Sequence, residues 1–274
     1  MSTTERSRSL ARAGTGALVA LLFVAPLVIM VTGSLRRPGL PPPRSPELLP
    51  RPVTVEGYRE AFRLSPLARA MGNSLFVASV SVPLAIATSS LAGFGIARMP
   101  DRRRRRLVAI AVVLLTVPVT ALWIARFAIF RSAGILDTPW PLIAPALMGG
   151  SPFAVLLYVY AFRRIPDDVY EAARLEGASA LRVWRRIAMP LVRRTTVVVG
   201  MLAFLAAWSN FIDPLLYLHT ESRYTAPLVL RYLEQLGPTN WPVLLAGSVI
   251  VTAPVVLAFL VVQRRFLQDE TRIG

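Results

Sequence analysis

The residues best placed for chemistry form one run, Tyr170-Glu171-Ala172-Ala173-Arg174-Leu175-Glu176-Gly177-Ala178, followed by Ile187 and Pro190. They make a polar loop between two long apolar stretches. Pro166 suits the first position of a helix, and Asp167, Asp168 and Glu171 put negative charge where the helix dipole favours it. Ala172 and Ala173 keep one face small. Gly177 sits where a left-handed residue ends the helix and lets another backbone come close. Ser179 then caps a second short helix running to about Ile187, and Pro190 marks its end. The spacing predicts a bent pair of short helices at a membrane surface, with the chemistry of a docking element.

Bond-making has little to work with. The chain has no Cys and a single His, His219, so disulfides and cysteine metal sites are excluded and His219 has no His partner for a metal. No acid pair, Ser-His arrangement or metal cluster sits in the apolar stretches, which argues against a membrane-embedded enzyme. A Gly-rich, Lys-containing nucleotide loop is also missing, so the chain does not hydrolyse ATP alone.

The elements that must position the loop are written in the hydropathy. The 274 residues are 54% hydrophobic, and uncharged stretches cover 13–35, 70–97, 107–125, 138–162, 195–212 and 235–263. Each accommodates a helix of roughly 17–25 residues, the length that crosses a bilayer core. Too little polar sequence is left to cover six such blocks in a soluble fold, so the expected class is an all-α membrane protein with six transmembrane helices. Arg6, Arg8 and Arg12 before the first block, and Gly33 and Ser34 in it, also fit a secretory leader. An uncleaved helix is expected, because removal would leave an odd number of spans.

All 31 basic residues are Arg. With the N-terminus inside, 20 of the 31 fall on inner segments, so the positive-inside rule places both termini and the Glu171 loop in the cytoplasm. Arg36 and Arg37 run against the rule but belong to a longer loop, where it weakens. The net charge of +16 and the Arg102–Arg106 run do not mark a nucleic-acid binder, since that run is a short turn between apolar blocks and reads as an anchor on anionic lipid. Exclusive use of Arg points to a high-GC genome such as that of an actinobacterium.

This reading divides the chain into a cytoplasmic tail at 1–12, a transmembrane domain at 13–266 and a second cytoplasmic tail at 267–274. An external loop spans 36–69. There Pro38, Pro41, Pro42, Pro43, Pro46, Pro50 and Pro52 predict a stiff extended connector, followed by a short amphipathic segment carrying Tyr58, Ala61 and Phe62. The cytoplasmic loop spans 163–194. Pro118 and Pro254 are expected to kink the third and sixth helices.

The spacing Glu-Ala-Ala, three residues, Gly-Ala, eight residues, Ile, two residues, Pro resembles the loop that defines membrane subunits of ATP-driven, binding-protein-dependent importers. Glu176 stands where relatives usually have Asp, Trp184 where Phe is common, and Arg194 where a further Pro often follows. Other landmarks, in order, resemble carbohydrate-type permeases similar to the smaller maltose-system subunit. They are Pro26 with Ser34, Tyr58 and Phe62, Asn73-Ser74-Leu75, Gly134-Ile135-Leu136-Asp137-Thr138, Trp208 with Phe211, Pro214 and Leu215, and Gln263-Arg264-Arg265-Phe266. Trp208 is followed by Ser209 before Asn210, where the family commonly has Trp-Asn, and the tail lacks a Gly-rich ending.

The resemblance implies a type I importer permease in the bacterial plasma membrane. Its implied partners are a second permease subunit, two cytoplasmic ATPase subunits holding ATP and Mg, and an external substrate-binding lipoprotein. The coupling set would be Glu171, Ala172, Ala173, Glu176, Gly177, Ala178, Ile187 and Pro190, with Glu171 making a salt bridge to the ATPase and Gly177 allowing close approach. A solute path lined by Tyr158, Trp208, Ser209 and Asn210 fits a polyol, since aromatic faces stack on sugar rings and amides and hydroxyls bond their OH groups. Asp213 is expected to cap that path or face the outer vestibule rather than relay protons. Disaccharides, oligosaccharides, amino sugars and glycerol-phosphate-type solutes all fit, the last because of Arg126 and Arg131. The rival reading, an ion-coupled secondary transporter, needs ionisable groups near the midplane, and the six blocks supply almost none.

Overall fold

A computed structural model describes residues 3–40, 50–148 and 151–270, with side chains over 14–40, 50–148 and 151–264. The described residues are mostly helical, without a strand among them. In order they form α1 (Thr3–Ser34), α2 (Glu56–Leu64), α3 (Leu67–Ala97), α4 (Asp101–Thr116), α5 (Trp123–Ser132), α6 (Trp140–Leu147), α7 (Pro152–Phe162) and α8 (Asp167–Leu175). After these come α9 (Ala180–Val183), α10 (Met189–Leu191), α11 (Arg193–Trp208), α12 (Ile212–Tyr217), α13 (Ala226–Glu234) and α14 (Trp241–Glu270). Most of the Pro-rich connector, 41–49, lies outside the described residues.

Among the described residues, Gly14–Ser34, Leu67–Ala97 and Pro238–Arg264 are each long and apolar enough to cross a bilayer, and α6 and α7 lie at the two ends of a fourth such stretch, Trp140–Phe162. Two helix pairs reach that length and hydropathy only together and are sharply bent, Asp101–Thr116 with Val119–Ser132 at 90°, and Ala180–Leu191 with Arg193–Trp208 at 88°. The first bend turns the kink expected at Pro118 into a break, and the second falls at Val192, ahead of the block 195–212, whose helix α11 ends at Trp208. Pro118 breaks its helix outright. The residue before a proline is pushed off helical geometry, and Val117 accordingly has ψ 117°, so α4 stops at Thr116 and the chain leaves sideways. α14, by contrast, runs through Pro254 as one helix and carries the start of the expected tail with it as far as Glu270.

The chain divides into two compact units, 1–68 with 229–254 and 69–228 with 255–274. In the first, the hydroxyls of Ser34 and Tyr58 meet at 2.7 Å, tying the end of α1 to α2. A side chain on Gly57 would press on the Ser34 and Pro242 carbonyls at 3.2 Å each, so the absence of one lets three backbones converge. The amphipathic reading of α2 holds, with Gly57 and Ala61 buried and Phe62 exposed.

In the second unit, α3 lies close on α7, because a Cβ at Gly93 would stand 2.5 Å from the Cβ of Tyr158. That contact seeds a core of Tyr158, Phe162, Tyr170, Val183, Ala188 and Val199, against which Phe94 and Trp184 pack. Phe162 stacks on Tyr158 at 5.6 Å and meets Phe94 edge-on at 5.5 Å. A second core gathers Val77, Phe130, Ile143 and Tyr217.

Candidate functional site

The Glu171 loop is built as its spacing foretold, with one-residue differences at its borders. Pro166 is the N-cap and α8 begins at Asp167, whose charge and that of Asp168 fall in the first turn. At the other end Gly177 has φ +74°, its N–H donates to Arg174 O at 2.9 Å and the Ala178 N–H donates to Ala173 O at 3.0 Å. This pair of bonds is the Schellman ending that a left-handed glycine permits.

Ser179 holds the N-cap position of α9 without its hydroxyl making a capping bond. The second helix does not end at Ile187 or Pro190. A π-turn over Trp184–Ala188, closed by Met189 N–H to Trp184 O, carries it to Leu191. The wide turn already forgoes regular α bonding, which makes room for a proline that donates none, and the bend comes at Val192.

Burial sorts the loop into two faces. Tyr170 and Ala173 are buried, and Ala178 and Ile187 pack partly against the same core. Glu171, Ala172, Glu176, Gly177 and Pro190 are exposed. So are two residues that the spacing argument passed over, Leu175 at 90% and Leu181 at 62%. Their signal was available: Tyr170 and Ala173, three apart, mark the inner face of α8, and Leu175 falls on the opposite one. Leu175 stands bare beside Gly177, around which a Cβ would meet nothing within 4 Å.

α8 is strapped to α3 by Arg98. Its guanidinium reaches Asp167 Oδ1 at 3.0 Å and lies over the Tyr170 ring at 4.1 Å. Beneath it, the Tyr170 hydroxyl donates to Phe162 O at 3.2 Å. Burial pushes the Tyr170 phenol above its ordinary pKa, with the Arg98 charge pulling the other way and Asp167 adding to the rise, so the hydroxyl stays a donor. α8 is thus tied to the C-terminal ends of α3 and α7.

A cavity of about 420 Å³ opens among α3, α5, α6, α7 and α11. Of the expected path residues it takes in Asn210 and Asp213. Asn210 caps α12, accepting from the Asp213 N–H at 3.2 Å and donating to the Asp213 carboxylate at 2.9 Å. Tyr158 is fully buried in the core beneath Gly93, and Trp208 is stacked on Phe204 at 5.6 Å, both away from the cavity wall. Ser209, the C-cap of α11, is exposed outside it. Phe153, Ser81, Ser151 and Arg126 stand on the wall instead.

Asp137 is a further residue the sequence marked only as a landmark. It has φ +57°, and its carboxylate accepts from the N–H groups of His219 and Thr220 at 2.9 Å each, from the Thr220 hydroxyl at 2.6 Å and from Arg223 at 3.1 Å. Burial by itself raises its pKa. The Thr220 hydroxyl, the two N–H groups and the Arg223 charge outweigh that and hold the carboxyl at about 2, below the ordinary 3.8. The clamp is therefore intact above the unfolded-state pKa and is lost as pH falls through the folded one. Thermal unfolding in detergent is expected to show stability unchanged from neutral pH to about 4 and falling below it, and Asp137→Asn is expected to cost about 1–3 kcal/mol at neutral pH. Equal melting of variant and wild type at pH 7 would refute the clamp.

The family model described as binding-protein-dependent transport system inner membrane component matches residues 85–269. Among curated proteins, the trehalose transport system permease protein SugB of Mycobacterium tuberculosis is 28% identical over 228 residues, covering 82% of this chain and 83% of that protein. The arabinooligosaccharides transport system permease protein AraQ of Halalkalibacterium halodurans is 27% identical over 259 residues, covering 93% and 92%. Among solved structures, a chain of a bacterial ABC transporter involved in the import of the acidic polysaccharide alginate superposes with a TM-score of 0.81 at 19% identity, over 97% of this chain and 99% of that one. The MetNI methionine ABC transporter in an inward-facing form gives 0.57 at 19% identity, over 75% and 95%.

Proposed function

The chain belongs to the family of binding-protein-dependent transport system inner membrane components, and from that premise we propose that it is one permease subunit of an ATP-driven importer for a sugar or sugar-like solute. The observation that carries the reading is the two-faced loop: Tyr170 and Ala173 root α8 in the transmembrane core, while Glu171, Ala172, Glu176 and Gly177 face outward with nothing covering them. Relatives named for sugar transport favour the solute class.

In this reading six spans cross the bacterial plasma membrane, the third being the bent pair Asp101–Thr116 with Val119–Ser132 and the fifth being α11, with both termini and residues 163–194 in the cytoplasm. Residues 13–266 form the permease domain, 36–69 its external loop, and 1–12 and 267–274 the tails. The partners are a second permease subunit completing the pathway, two cytoplasmic ATPase subunits that hold ATP and Mg, and an external binding lipoprotein. The chain itself performs no bond chemistry. Glu171 pairs with a basic group on an ATPase subunit, Gly177 and Ala172 allow its surface to approach, and Leu175 supplies an apolar anchor. Closure of the ATPase pair then tilts α8, and Arg98 and Tyr170 pass the movement to α3 and α7. The Arg102–Arg106 run anchors the inner surface on anionic lipid.

Purification of the chain from its native membrane, with mass spectrometry of what accompanies it, tests this. Recovery of a second permease and an ATPase is expected. Recovery of the chain alone, with ATP-independent uptake in liposomes, would establish the ion-coupled transporter in its place.

A further inference from the structure

Two polar groups on the cavity wall lack the partners that such groups ordinarily have in an apolar setting. Arg126 is half-buried, and among the described residues no carboxylate lies within ion-pair distance of it. Ser81 is 6% exposed and its buried hydroxyl has no hydrogen-bond partner, whereas Ser79, Thr88, Ser89 and Ser90 on the same helix all donate to carbonyls one turn back. Helical serines in apolar surroundings satisfy themselves in that way, so a hydroxyl that does not is left for something entering the cavity.

The other ionic group on the wall, Asp213, is buried, and its carboxylate accepts from the Asn210 amide at 2.9 Å. The remaining wall is largely aliphatic, with Leu142, Leu202 and Ala203, and it has one aromatic ring, Phe153. About 420 Å³ is within the range of small-molecule sites. The donor-rich group on the wall is the Arg126 guanidinium, whose planar fork matches an oxyanion in bidentate fashion and shares the wall with the Ser81 hydroxyl and the Phe153 ring.

We propose that this cavity receives an acidic unit of the transported solute, a sugar ring bearing a carboxylate or another oxyanion, with Arg126 holding the anion and Ser81 a ring hydroxyl. The proposal rests on the importer reading and deepens it by naming the solute class.

The test measures D-glucuronate and D-glucose binding by equilibrium dialysis to the purified complex of this chain with its partner subunits, without the external binding protein. Glucuronate is expected to bind about tenfold or more tighter than glucose, the factor of a charge-assisted hydrogen bond. Arg126→Gln is expected to erase that preference, Arg126→Lys to retain only part of it, and Ser81→Ala to weaken both sugars alike. Equal affinities, no binding of either sugar, or a preference that survives Arg126→Gln would overturn the proposal. If the glutamine variant does not assemble, the wild-type ratio and the lysine variant decide. An ATPase-containing complex without the preference refutes this inference alone; a preparation without an ATPase refutes the importer reading.

Discussion

Gly177→Asp is expected to abolish solute uptake and ATPase stimulation, by tenfold or more, in a chain that still folds and inserts. Two observations set the expectation. The position has φ +74°, where a side chain other than glycine costs about 1–2 kcal/mol, a local penalty that does not unfold a membrane domain. A Cβ there meets nothing within 4 Å in this chain, so no internal clash adds to it. A large functional loss therefore has to come from a partner backbone that occupies the empty space, with the new carboxylate beside Glu176 adding repulsion. Gly177→Asn isolates the charge, because asparagine matches aspartate in size and in its tolerance of the left-handed region but is neutral. It is expected to fall between wild type and Gly177→Asp in ATPase stimulation measured on the reconstituted complex. Normal uptake and normal stimulation in Gly177→Asp would remove the docking assignment.

Tyr170→Ala is expected to detach α8 from the membrane core. The ring is 2% exposed, lies beneath Arg98 and sits 6.1 Å from Phe94, centroid to centroid. Truncating a buried aromatic costs about 3–5 kcal/mol, more than a nine-residue helix can recover by itself. Tyr170→Phe keeps the packing and loses one hydrogen bond, about 1 kcal/mol. Arg98→Ala falls between: its pair with Asp167 is worth no more than about 1 kcal/mol, because the Asp167 side chain is 82% exposed, and the cation–π contact adds about as much. The expected order of damage is Tyr170→Ala, then Arg98→Ala, then Tyr170→Phe. Limited proteolysis at 163–194 reads the detachment, and the ratio of solute moved to ATP hydrolysed reads the coupling. Proteolysis of Tyr170→Ala at the wild-type rate would mean that α8 is held elsewhere.

The amino-acid sequence by itself determined where the long apolar helices lie and where the bent pair of short helices around Glu171 begins. Both follow from local physics: apolar runs of bilayer length, acidic residues at a helix start, and a glycine where a helix must end left-handed. The Schellman bonds at Ala173 and Arg174 are that local logic realised. What only the tertiary structure decided concerns residues far apart in the chain. Pro118 reads as a kink or a break until the geometry around Val117 is known, and the helix passes Pro190 because a π-turn, invisible in the pattern, absorbs it. Tyr158 has the look of a sugar-stacking ring, yet Gly93, 65 positions earlier, lets α3 close over it. Asp137 gains its clamp from backbone 82 and 83 positions downstream. The cavity wall likewise joins Ser81, Arg126 and Asp213 from separate helices. Periodicity and capping act over a few residues and are legible one segment at a time. Burial, pairing and the vacancy of a polar group depend on which segments meet, and that is a property of the packed chain.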